Sequence, residues 1–430
     1  MSQVPSSQSN GSCIRRNSTG SPMLVVIGSG SRPMRGYLLE QTAAHYPLLL
    51  INDAPLTWQK PYVVDHEVAN LSDPIAVNTA AASLAVRWPI AGVLTWDEYH
   101  LTAAARLAHS LGGRPGNALA AVAAARDKVT SRQRFAAASV PSATSTWVHS
   151  LDAAASAAER VGYPIVLKPA AHAGSIGVVR VDTITDLPAA WAIASAGAAH
   201  QGPDGQGVLV EEYLDGPEVS VETVTRRGVT SAVAVTRKAV GFAPYFLETG
   251  HSVSAGDPLL HEVAPVASAA LEALGITHGV SHTELRLTPE GPKVIEVNAR
   301  HGGDLIGELV RLATGISLPL AAAALACGEI PNLRPTRQRS AAIGMIYPPA
   351  EGIVTRRDLR PGSDRHLEHF QWLCNVGDAA TLTPSSTTPN NVRAGFAVVS
   401  GDSAHEAQQH LADVLARADV QVTPAVPRAA

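Results

Sequence analysis

The sequence predicts a multidomain chain of α/β and α+β units, and three observations lead to that fold class. At 430 residues it has the length of about three compact domains of roughly 150 residues each. Its beginning alternates apolar runs with helix-length segments, the pattern of a parallel βαβ unit, while its middle mixes helices with hairpins. Apolar residues make up 46% and charged residues 16%, with 35 Gly and 30 Pro, which excludes low-complexity and collagen-like chains. A net charge of -4 gives no broad basic surface, so nucleic acid is not an expected partner. The three cysteines, Cys13, Cys327 and Cys374, are odd in number and lack CxxC spacing. Neither a disulfide framework nor a thiolate zinc site is expected, and a reducing cytoplasm is the expected location.

Residues 1–22 are rich in Ser, Asn, Gln and Gly and read as a disordered tail; they lack the apolar stretch of about 7–15 residues that a secretory signal requires. From Met23, MLVVIGSGSRPMRGYLLEQTAAHYPLLLIND spells strand, turn, helix, strand. A further strand, Gly92 to Thr95, leads into a helix that Gly112 and Gly113 stop, which closes an N-terminal βαβ parallel-sheet domain at 23–113. Its Gly28-Ser29-Gly30 turn lacks the third glycine of a dinucleotide fingerprint, although Asp53 lies where a ribose-binding acid would. A tight structural turn is the favoured reading there, with a ligand contact as the alternative. Residues 114–329 form the helix-and-hairpin region, after which PNLRPTRQR has the composition of a linker. In the C-terminal α+β region, 330–430, Arg393 to Val399 reads as a strand and His405 to Ala418 as an amphipathic helix behind a Ser-Gly-Asp-Ser cap. The apolar run Ser317 to Cys327 is well short of the ~20 residues needed to span a bilayer, so no membrane partner is expected.

Three segments carry chemistry. In GVSHTELRLTPEGPKVIEVNARHGGDLIGE, two strands flank a Pro-Glu-Gly-Pro turn. Strand alternation projects Glu296 and Asn298 together and sends Ile295 and Val297 into the core; Glu284 falls opposite them to within about one residue. Two carboxylates and an amide oxygen on one sheet face form a hard oxygen cluster suited to Mg²⁺ shared with phosphates. An ordinary solvated acidic face is the alternative for Glu284 taken alone. Arg300 can fork onto anionic oxygens, and Gly302 and Gly303 let backbone amides approach the same charge. In VGYPIVLKPAAHAGSIGV, a strand carries Lys168 into a loop with Gly174, Ser175 and Gly177 that can lie over phosphates, although it is not a P-loop. In VLVEEYLDGPEVSVE, Glu211 and Glu212 precede a turn, and Glu218, Ser220 and Glu222 then share a strand face. For each of these acids a merely solvated carboxylate is the alternative.

Taken in this order, with Arg126-Asp127-Lys128-x-x-x-Arg132 ahead of them, the segments resemble the ATP-grasp superfamily. The resemblance is strong over about residues 113–326, moderate before and weak after. It implies a two-lobed ATP-grasp domain at 114–329 that grips ATP, with Lys128 and Lys168 on the phosphates and the Gly174 to Gly177 loop as a cover. By the same resemblance, Glu211 and the adjacent backbone through Glu212 and Leu214 hold adenine, and Glu218 the ribose. Glu284, Glu296 and Asn298 match the ligands of Mg²⁺ (or Mn²⁺), and Arg300 faces the transferred phosphoryl group. No Gln-Val-Glu-His run follows Arg300, which disfavours the biotin-carboxylase branch. Arg300 followed by Gly-Gly-Asp304, together with Ser281-His282-Thr283-Glu284 and Glu248-Thr249-Gly250-His251, is similar to the L-amino-acid ligases. His251, His282 and Asp304 are then expected to line the substrate pocket, with a satisfied structural histidine as the alternative for each His.

The implied reaction joins a carboxylate to an amine through an acyl phosphate and releases ADP and phosphate, with Arg300 and the Gly302 and Gly303 amides as the catalytic donors. Small-molecule acid and amine substrates are the expected partners, and a homodimer is compatible with the family. Two rivals stay open: an ATP-grasp enzyme of purine or carboxylation metabolism, and a nucleotide-binding protein without catalysis. No general base is evident.

Overall fold

The computed structural model describes residues 22–172, 174–199, 207–382 and 392–424. The expected tail at 1–22 lies outside the described residues except for its last position.

The first unit comprises β1 (Met23–Ile27), α1 (Arg32–Ala43), β2 (Leu48–Asn52), β3 (Asp65–Val68), α2 (Pro74–Arg87), β4 (Ile90–Leu94) and α3 (Leu101–Ser110). Its strands run parallel in the order β3-β2-β1-β4. A parallel sheet is covered on both faces, so its strands are continuously apolar, and every residue of β1 and β2 is buried. Gly28 and Gly30 turn the chain at φ +73° and +67°, where a Cβ is strained. Ser29 between them is tied inward: Asn52 Oδ1 accepts from its Oγ at 3.1 Å, and Gln59 Nε2 donates to that Oγ at 2.9 Å. Asp53 is exposed and outside this network.

Two helices follow, α4 (Leu119–Arg126) and α5 (Lys128–Ala137). Asp127 closes the first and caps the second, its Oδ1 accepting from Thr130 N at 2.6 Å, which fixes Lys128 as the first residue of α5. A small lobe then forms from β5 (Ser145–Val148), α6 (Leu151–Val161), β6 (Ile165–Pro169), β7 (Val179–Val181), α7 (Leu187–Ala199) and β8 (Val208–Glu212). Its sheet has the order β5-β8-β6-β7, and alanines of α6 and α7 pack on it closely.

The remaining elements are β9 (Glu218–Arg226), β10 (Val229–Gly241), β11 (Leu247–Ser254), α8 (Leu260–Leu274), β12 (His278–Thr288), β13 (Gly291–Asn298), α9 (Ile306–Thr314) and α10 (Leu318–Ala326). Then come β14 (Ser340–Ile346), β15 (Gly352–Leu359), β16 (Leu367–Trp372), β17 (Ala379–Ala380), β18 (Gly395–Gly401), α11 (Ala404–Arg417) and β19 (Ala418–Thr423). They build an eight-stranded sheet of order β13-β12-β9-β10-β11-β14-β18-β16 and a three-stranded sheet β17-β15-β19. The division expected at 329 is therefore not a break in the sheet. β14 pairs with β11 and β18 with β14, which satisfies the backbone N–H and C=O groups that β11 would expose as an edge strand.

One face of the large sheet packs on α4, α5 and α8 through Val219, Val221, Val235, Leu285, Val294 and Val297. The opposite face carries α9 and α10 at one end and leaves Glu218, Ser220 and Glu222 of β9, His282, Glu284 and Arg286 of β12, and Glu296 and Asn298 of β13 on the side of the small lobe. Because of a bulge in the hairpin, Val294 joins the core where Ile295 was expected, and Ile295 borders the cleft. The apolar run at 317–327 is α10, buried against β4 and β12; a Cβ on Gly92 would stand 2.2 Å from Ala326 O. Among the described residues no single helix is long and apolar enough to cross a membrane.

Candidate functional site

A cleft of about 690 Å³ opens between the small lobe, the polar face of the large sheet and the first turn of α1. Strand register organises its floor. Glu284 pairs directly with Glu296 across the β12–β13 hairpin and His282 with Asn298, so the expected oxygen cluster forms in register. A bulge after Glu284 sets this pairing apart from the rest of the hairpin. On the other side of β12, Glu284 faces Ser220, and His282 faces Glu222.

Each acid on this floor has a cation. Lys238 of β10, almost wholly buried, lies 2.9 Å from Glu218, 2.8 Å from Glu248 and 2.9 Å from Glu284. Burial alone would lower its pKa; three carboxylates overcome this and hold it well above the usual lysine range. Glu218 also accepts Arg286 at 2.9 Å. Burial would raise the Glu284 carboxyl, but Lys238 and His282 hold it well below the usual carboxylate range. His282 lies between Glu222 at 2.8 Å and Glu284 at 3.1 Å. Its burial opposes charge, yet the two glutamates push its pKa up to about 10, so it is an imidazolium at neutral pH.

The roof holds two lysines. Lys128 meets Glu296 at 2.9 Å, and the Lys168 ammonium meets Glu211 at 2.5 Å. Arg132 grips the same Glu211 at 2.8 and 3.2 Å. Desolvation, with Arg132 and Lys128 nearby, lowers Lys168 to about 8 in spite of Glu211. Gly174 and Gly177, at φ +71° each, and Ser175, at φ +56°, form the loop beside it. Gly174, Ser175, Glu211, Glu212, Leu214 and Glu218 all line the cleft, and Gly177 packs on Pro169 instead.

The structure redistributes some expected roles. The Glu211 side chain, expected at adenine, is buried and bound to Arg132 and Lys168; its strand's neighbouring backbone and Leu214 stay on the cleft wall. Glu218 is already neutralised by Lys238 and Arg286. Gly302, expected to offer an amide to an oxyanion, does not line the cleft, and its Cα faces His282, where a Cβ would stand 2.8 Å from Nδ1. Gly303 does line it. Arg300 lines it too, its Nε 2.9 Å from Glu98, while it donates to His301 O at 2.6 Å and to Asn298 Oδ1 at 3.2 Å. His251 Nε2 is 3.2 Å from Asp304, and Arg393 grips that aspartate at 2.7 and 2.8 Å. Burial would raise Asp304, but Arg393 and His251 hold it well below the usual range.

Lys238, Arg286, Arg393 and Glu98 escaped the reading of motifs. The first two are lone charges on strands, with alternation as their signal: Lys238 is directly cross-strand from both Glu218 and His251. Arg393 and Glu98 come from opposite ends of the chain and had no local signal.

Glu284, Glu296 and Asn298 supply hard oxygen donors on one face, and their present cation partners, Lys238 and Lys128, mark the site as one that positive charge must fill. The set fits a divalent cation.

The chain is similar to proteins of known name in both sequence and shape. Residues 161–308 match the model described as "ATP-grasp domain". Carnosine synthase 1 of Gallus gallus is 32% identical over 226 residues, covering 50% of this chain and 24% of that protein. The D-alanine–D-alanine ligase of Stutzerimonas stutzeri is 34% identical over 106 residues, 25% of this chain and 32% of that protein. The chain thus spans a quarter to a third of the length of these two relatives. The crystal structure of an L-amino acid ligase from Bacillus licheniformis superposes with a TM-score of 0.77, covering 93% of this chain and 99% of that one at 22% identity, a likeness of fold. The match at 161–308 spans the Lys168 strand, the glutamates of β8 and β9, and the Glu284–Glu296 hairpin. Residues 161–308 thus match an ATP-grasp domain, and the mixed α/β architecture around them is like that of the L-amino acid ligase structure.

Proposed function

We propose that the protein is an ATP-dependent ligase that joins the carboxylate of an amino acid to an amine, releasing ADP and phosphate. The observation that carries this reading is the in-register pairing of Glu284 with Glu296, with Asn298 alongside, beneath Lys128 and Lys168. Phosphates at the two lysines would place the terminal phosphoryl group over these three oxygen donors and beside Arg300. A divalent cation held by Glu284, Glu296 and Asn298 would neutralise charge between the β- and γ-oxygens. The names of the sequence relatives, carnosine synthase and D-alanine–D-alanine ligase, support amino-acid chemistry.

In the proposed reaction a carboxylate oxygen attacks the γ-phosphorus, the bond to the β-phosphate oxygen breaks, and ADP leaves. The amine nitrogen then attacks the acyl carbon, loses its proton, and phosphate departs. Arg300 offers a planar fork to the oxygens that gain charge in both steps. Glu248, His251 and Asp304, whose ligand atoms lie within 4.8 Å of one another, form an acidic corner that suits a substrate ammonium. Lys238 and Arg393 hold that corner in place.

The test is phosphate release across pairs of amino acids, omitting each member in turn. Dependence on both an acid and an amine, with stoichiometric ADP, is expected. AMP and pyrophosphate would sink the acyl-phosphate route, and turnover with bicarbonate or formate without an amine would place the chain in carboxylation or purine chemistry instead.

A further inference from the structure

The N-terminal turn and α1 contribute a cation that the proposed chemistry has not used. Gly30, Ser31, Met34 and Arg35 line the cleft on the side of Arg300 and Asp304. α1 is docked there firmly: Gln41 donates to Glu308 at 2.6 Å, and a Cβ on Gly307 would stand 2.8 Å from Tyr37 Oη. Arg35 therefore sits on a rigid helix over the loop between Arg300 and α9. Gly30 is what lets it lie there, since a Cβ at that position would stand 2.7 Å from Arg35 Cγ.

Nearly every other charge in the cleft is neutralised by contact, whereas among the described residues the Arg35 guanidinium makes neither an ion pair nor a side-chain hydrogen bond. Desolvation and the neighbouring Arg300 hold its pKa below the usual value, against the opposing pull of Tyr37, Asp97 and Asp304, none of which touches the guanidinium. The first turn of α1 adds to this. Ser31 makes no side-chain cap, Pro33 has no N–H, and the amides of Arg32 and Met34 have no partner within the helix. A desolvated guanidinium beside a second one, at an uncapped helix start, is a receptor for a planar anion.

We propose that Arg35 and the first turn of α1 bind the free carboxylate of the amine-donating substrate, which makes that substrate an α-amino acid or peptide and not a simple amine. This rests on the ligase reading: Arg300 serves the phosphoryl group and the acidic corner takes an ammonium, so the remaining anion is the carboxylate that is not activated.

The experiment uses the full chain loaded with MgADP and titrates the twenty L-amino acids and their carboxamides by calorimetry, for wild type and for Arg35→Met. The expected result is that at least one amino acid binds wild type at least tenfold more tightly than its carboxamide, that Arg35→Met reduces this ratio to within about twofold, and that MgADP affinity is retained. Equal binding of acid and amide by wild type would overturn the proposal. So would a preference that survives in Arg35→Met, or a variant whose principal defect is weaker MgADP or MgATP binding, which would assign Arg35 to the nucleotide. Arg35→Lys separates fork from charge and should recover part of the preference. Because this readout needs no turnover, an acid preference lost in Arg35→Met in a protein that releases no phosphate with any pair would keep the carboxylate site and refute the ligase reading.

Discussion

Replacing Lys238 by Met tests the central electrostatic reading of the cleft floor. Met has nearly the same length and fills the same channel, so the substitution removes charge with little change in packing. It leaves Glu218, Glu248 and Glu284, all within 2.9 Å of the lost ammonium, facing one another on the largely buried floor of the cleft. Breaking a buried pair by removing one partner costs about 3–5 kcal/mol. For a cooperative unit of roughly 200 residues each kcal/mol corresponds to about 2–4 °C, so the melting temperature should fall by at least about 6 °C. Scanning calorimetry at neutral pH reads this directly. Removing one of the stranded carboxylates should repair the damage: Glu248→Gln in the Lys238→Met background should recover part of the loss, whereas Glu248→Gln alone should destabilise. A fall under about 2 °C, or additive effects of the two substitutions, would refute the reasoning, because it would mean that the glutamates do not depend on Lys238 for their charge.

Three further outcomes are expected. Arg300→Lys should lower kcat by on the order of 10² while ATP affinity changes little, since one ammonium cannot replace a fork that now reaches Glu98, His301 and Asn298; a wild-type kcat in folded protein removes Arg300 from the mechanism. Glu296→Ala should abolish Mg²⁺-dependent turnover in protein that still folds, with some loss of melting temperature because buried Lys128 loses its partner at 2.9 Å while no core cavity opens; near-normal turnover would show the hairpin face to be misread. The affinity for MgATP should fall as pH rises. Lys168 is held at about 8, so above that pH the unliganded protein loses the ammonium that phosphate requires, and the dissociation constant should rise by up to about tenfold per pH unit. Calorimetry at pH 7 and 9 measures this, and an unchanged constant would show that Lys168 is not the titrating phosphate contact.

The sequence alone determined whatever depends on neighbours along the chain. Strand alternation placed Glu296 with Asn298 and put Glu284 opposite, and the Pro-Glu-Gly-Pro turn set the hairpin that brings them into register. The strand-to-loop passage at Lys168, the Gly112–Gly113 stop and the Ser403 cap of α11 are also local, fixed by side-chain period and by the backbone freedom of a few residues. Tertiary structure alone decided which charges meet. Glu211 reads as a ligand contact in one dimension, yet in three it is committed to Arg132, 79 positions away, and to Lys168. Arg393 reaches Asp304 across 89 positions, and Lys238 gathers acids from three other strands. The order β13-β12-β9-β10-β11-β14-β18-β16, which carries the sheet past residue 329, is equally invisible to local pattern. The physical reason is that a buried charge is placed by the need for an opposite charge within a few ångströms, and closeness in space across a sheet is set by strand order and register, which separation along the chain does not encode.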